Sequence, residues 1–141
     1  MSNKKTMLAM LALGATVAFV GPAFADKMKV TLDAKSEVPP NTSAATGTAD
    51  VDYDAASKKL SWKVTYSGLS GPATAAHFHG PAEAGKNAGV AVAIPNATSS
   101  PAEGSATLTD AQAADFVAGK YYINVHTAAN PGGEIRGQVT K

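Results

Sequence analysis

Leu60-Ser61-Trp62-Lys63-Val64-Thr65-Tyr66 alternates apolar and polar residues along its whole length, setting Leu60, Trp62, Val64 and Tyr66 on one face. Successive strand side chains point to opposite sides, so this period of two reads as a half-buried strand. The same period recurs on either side of it. Residues 29–33 alternate before Pro39 and Pro40 stop the ladder, because proline has no N–H to donate. Residues 46–53 read as a second strand, with small residues assigned to one face and Val51 and Tyr53 to the other. Further strands are expected over 75–79, 89–94, 105–108, 121–127 and 134–140, with 82–88 and 96–103 as loops.

One helix interrupts this pattern. Thr109 and Gln112 stand at the spacing of a capping box, Asp110 suits the positive end of the helix dipole, and Gly119 offers a left-handed stop. Eight short strands and one short helix predict an all-β fold, a Greek-key sandwich or partly closed barrel. At 141 residues the chain has room for one such domain.

The first residues read as an address. Lys4 and Lys5 precede an apolar run over 7–20, and Ala23-Phe24-Ala25 supplies a small-x-small ending. That arrangement predicts a secretory signal peptide over 1–25, and the run is short of the roughly 20 residues a membrane span needs. The remaining domain, 26–141, holds only 18 Leu, Ile, Val and Phe in 116 residues, a thin inventory for a core. Cysteine is absent, which excludes a disulfide framework, a thiolate metal site and a thiol nucleophile. Lys+Arg at 12 against Asp+Glu at 11 leaves no basic excess with which to hold nucleic acid.

The rare residues carry the chemistry. All three histidines lie on two of the expected strands: His77 and His79 at i and i+2, and His126 beside Tyr122 and Asn124 on one face of another. With Phe78, Ile123 and Val125 turned inward, the three imidazoles are expected together on the outer face. Two rings at i and i+2 stand roughly 6–7 Å apart at their Cα atoms, which lets both reach one ion. Three imidazoles without a thiolate suit copper(II) or zinc, with copper the tighter at a nitrogen site. The alternative is three histidines serving only local hydrogen bonds. Glu134 and the single arginine, Arg136, share a strand face; the spacing fits an exposed local ion pair. In the functional alternative Glu134, with Asn124, backs the ligands by accepting an imidazole N–H, and Arg136 steers anions.

Three stretches resemble the CHRD domain, named after chordin: 76–82 (AHFHGPA), 122–127 (YINVHT) and 130–138 (NPGGEIRGQ). The resemblance implies an exported single-domain protein; in chordin the repeats belong to an extracellular antagonist of growth factors, which points to a non-catalytic interaction module with a protein partner. The order His77, His79, His126, Arg136 is also similar to that of the copper ligands and anion-guiding arginine in Cu/Zn superoxide dismutases. A bridging histidine, the zinc ligands and the disulfide of that family are missing here. Metal binding, an extracellular interaction module and a copper-only dismutase are therefore the three functions to separate.

Overall fold

The alternation around Trp62 becomes β3 (Lys59–Ser67), which buries Leu60, Trp62 and Val64 and leaves Lys63 and Thr65 in water. A computed structural model describes residues 25–141, so the signal peptide read over 1–25 lies outside the described residues except for Ala25. β1 (Asp26–Asp33), β2 (Thr46–Asp54) and β3 form a meander. β4 (Ala73–His79) and β5 (Val90–Ile94) form a hairpin, and so do β7 (Tyr121–Thr127) and β8 (Ile135–Val139). β6 (Ala102–Thr107) pairs with β3, and α1 (Asp110–Val117) carries the chain on to β7. The strand order is β5-β4-β7-β8-β1-β2-β3-β6, with every neighbouring pair antiparallel. β5 and β6 approach one another without pairing, so the sheet is a nearly closed barrel. Among the described residues no helix is long and apolar enough to cross a membrane.

Curling one sheet on itself lets few large residues fill the interior. Val30, Leu32, Val51, Leu60, Val64, Phe78, Ile123, Val125 and Ile135 meet there. Trp62 and Phe78 make an edge contact at 5.2 Å between ring centroids, bringing the meander against the β4–β7 side. α1 closes one end by packing Phe116 against Tyr53 and Tyr121. Its capping box forms as the spacing predicts: Gln112 N–H donates to Thr109 Oγ1, and Thr109 N–H to Gln112 Oε1.

Three expectations are corrected. In β2 the small residues Gly47 and Ala49 point inward together with Val51 and Tyr53, since all four share one parity. Space explains this: a side chain at Gly47 would press on Ile135 and the Thr65 carbonyl. β6 begins at Ala102 rather than at 105, because register with β3 (Ala102 against Val64, Glu103 against Lys63) extends it into the expected loop. And β7 has no outer face in water. All seven of its residues are buried, because the loops over 80–89 and 128–134 and the segment after β1 fold across the sheet. The barrel thus carries a polar layer outside its apolar one.

Candidate metal centre

β4 and β7 are antiparallel neighbours, with His77 opposite Asn124, His79 opposite Tyr122, and His126 opposite Ala75. His126 therefore meets only a methyl group directly across, and its ring leans toward His77, its diagonal neighbour, a reach open to long side chains. Nδ1 of His77 lies 3.0 Å from Nε2 of His126. Each of the three residues offers a nitrogen, and these atoms lie within 4.8 Å of one another. The sequence expectation that the doublet and the solitary histidine meet is realised in space.

Backbone carbonyls fix two of the three rings. His79 Nδ1 is 2.9 Å from the Ala88 carbonyl, and His126 Nδ1 is 2.8 Å from that of Pro131. A carbonyl can only accept, so both Nδ1 atoms carry their hydrogen and both Nε2 atoms present a lone pair. The His126 lone pair faces His77, which donates Nδ1–H to it. That of His79 faces nothing: His79 Nε2 is buried and has no hydrogen-bond partner, and the same holds for Asn124 Oδ1. Unpaired buried acceptors are costly and rare. Burial is the main cause that lowers the His77 and His79 pKa values below the usual 6.5, with the neighbouring rings adding to it. Neutral imidazoles with outward lone pairs are the state a cation needs.

Arg136 is 1 % exposed and does not stand at the mouth of this cluster. Its guanidinium lies over the Tyr122 ring at 3.4 Å and donates to the Lys86 carbonyl at 2.6 Å and to Asn87 Oδ1 at 3.0 Å. Tyr122 in turn stacks on His79, with ring centroids 4.9 Å apart and planes 4° from parallel. Because β4 and β8 flank β7, Tyr122 stands between the arginine and the imidazole. Glu134 is 0 % exposed and makes no ion pair with Arg136, correcting the exposed local pair. Nor does it meet an imidazole: both its oxygens accept the Ser70 N–H. Burial pushes this carboxyl up, but hydrogen bonds from Ser43, Ser70 and Thr127 outweigh it and hold the pKa below the usual value. Asn124 lies near both His79 and Glu37, and its Nδ2 donates to the Gly132 carbonyl.

Glu37 is the residue that sequence reasoning missed. It is buried, faces Arg136 and Asn124, and leaves Oε1 without a partner. Burial raises its pKa from 4.5 to about 7 against the pull of Arg136 and Asn124. Gly133, at φ +126°, lets the chain turn past it, where a side chain would collide with the Glu37 carboxyl and Asn124. The only sequence signal is a carboxylate set directly before Val38-Pro39-Pro40.

A family model described as CHRD domain matches residues 28–139, which is most of the chain, and the protein belongs to that family. No curated protein and no solved structure matches it.

Proposed function

We propose that this CHRD-domain chain is an exported metal-binding protein that holds copper(II) through His77, His79 and His126. The observation that carries the reading is the pair of lone-pair nitrogens, His79 Nε2 and His126 Nε2, aimed by carbonyl bonds at the space beside His77. Binding costs little chemistry, since His77 has only to shift its proton from Nδ1 to Nε2 to offer the third lone pair. Copper is favoured over zinc by its rank among divalent ions at nitrogen sites.

The role in keeping with this site is metal buffering or delivery outside the cytoplasm, where the signal peptide would send the chain. Dismutation of superoxide finds no support in the position of Arg136, whose charge is buried and committed to Lys86 and Asn87. Equilibrium dialysis against copper(II) and zinc(II), followed by elemental analysis, tests the reading. One copper per chain is expected, with affinity more than about tenfold weaker in His126→Ala, since even lesser disturbances of a metal site cost 10–100-fold. Stoichiometry unchanged when His77, His79 and His126 are all replaced by alanine would rule it out.

A further inference from the structure

The far nitrogens of two of these rings hold loops. His79 Nδ1–H donates to Ala88 in the loop between β4 and β5, and His126 Nδ1–H donates to Pro131 in the loop between β7 and β8. Most of the first loop is exposed, and little apolar contact restrains residues 83–87. What restrains it is polar. Tyr122 Oη accepts from Ala88 N–H and donates to its carbonyl. Arg136 holds Lys86 and Asn87, Asn87 Nδ2 donates to the Val38 carbonyl, and Gln138 Nε2 donates to that of Ala82.

From this wiring we infer that the loop over 82–89 is a metal-responsive strap, fastened when the imidazoles are loaded and looser when they are not; this rests on the metal reading above. A cation at Nε2 draws electron density from the ring and makes Nδ1–H a stronger donor, so the bond to Ala88 becomes charge-assisted. Metal binding also abolishes the rotation of His79 that would release the carbonyl. The coupling is reciprocal: a loop already held in place spares the metal the cost of ordering His79. Segments with little apolar contact open at lower free energy than the core, so a strengthened side-chain hydrogen bond shifts this one measurably.

Lys86 makes the strap readable, because trypsin can cut after it only when the loop opens. Limited trypsinolysis of the whole protein, with and without one equivalent of copper(II), is followed by mass spectrometry at Lys86. Lys58, in the turn between β2 and β3, and Lys59, the first residue of β3, serve as the internal control. We expect copper to slow cleavage at Lys86 at least about fivefold while leaving the control sites nearly unchanged. Asn87→Ala, which touches no imidazole, is expected to speed cleavage in the metal-free protein and to weaken copper binding by about the same factor. Copper bound by dialysis with Lys86 cut at an unchanged rate, or slowed only as much as the control, would overturn the strap and leave the metal site standing. Protein that takes up no copper would overturn both.

Discussion

His79 has one nitrogen committed and the other bare, and that asymmetry recurs around it. Asn124 Oδ1 and Glu37 Oε1 are likewise buried without partners, so the polar layer over β7 contains several acceptors short of donors. Part of the shortage is met by protonation. Folded Glu37 keeps its proton up to about pH 7, whereas the unfolded chain releases it near 4.5. Between those values the folded state binds the extra proton, so this group's contribution to stability is present below 4.5 and is lost as pH rises through 7. His77 and His79 act with the opposite sign. Their folded pKa values lie below 6.5, so the stability they contribute is present above 6.5 and falls away under acid. Glu37→Gln separates the two effects, because both proteins keep the histidines. Melting curves at pH 5 and pH 8 should show the Gln variant gaining on the parent at pH 8; a constant difference would mean that Glu37 does not titrate as its burial implies.

At the scale of elements, legibility followed local chemistry. The helix was readable because its caps are local: Thr109 and Gln112 need only each other, and they find each other. Thr109→Ala should cost about 1 kcal/mol of unfolding free energy in a denaturant titration, and a loss near zero would show the cap to be idle. β3 was readable because one of its faces meets water. β7 was not fully so: its alternation correctly divides Ile123 and Val125 from Tyr122, Asn124 and His126, but a period of two does not say whether the second face is wet. That depends on loops far along the chain, and only folding brings Ala88 and Pro131 over it. The same limit hid Glu37 and the work of Arg136. An arginine near the end of a strand reads as a surface charge; its acceptors, 49 and 50 residues away, leave no mark beside it.

The whole molecule is a barrel with a small apolar interior and, on one side, a polar mantle laced by side-chain-to-backbone bonds. The thin inventory of large aliphatic residues foretold the first feature. A chain with no cysteine lacks the covalent means of tying such a mantle down, and three imidazoles joined through one ion would tie two strands and two loops at a single point. Everything proposed for this protein depends on that convergence being used. Pulsed EPR of the copper(II)-loaded protein, counting coordinated imidazoles from their remote-nitrogen couplings, addresses it most directly. Three imidazoles in the parent and two in His126→Ala are the result expected here. A spectrum with one or none, or one indifferent to the loss of His126, would contradict the account.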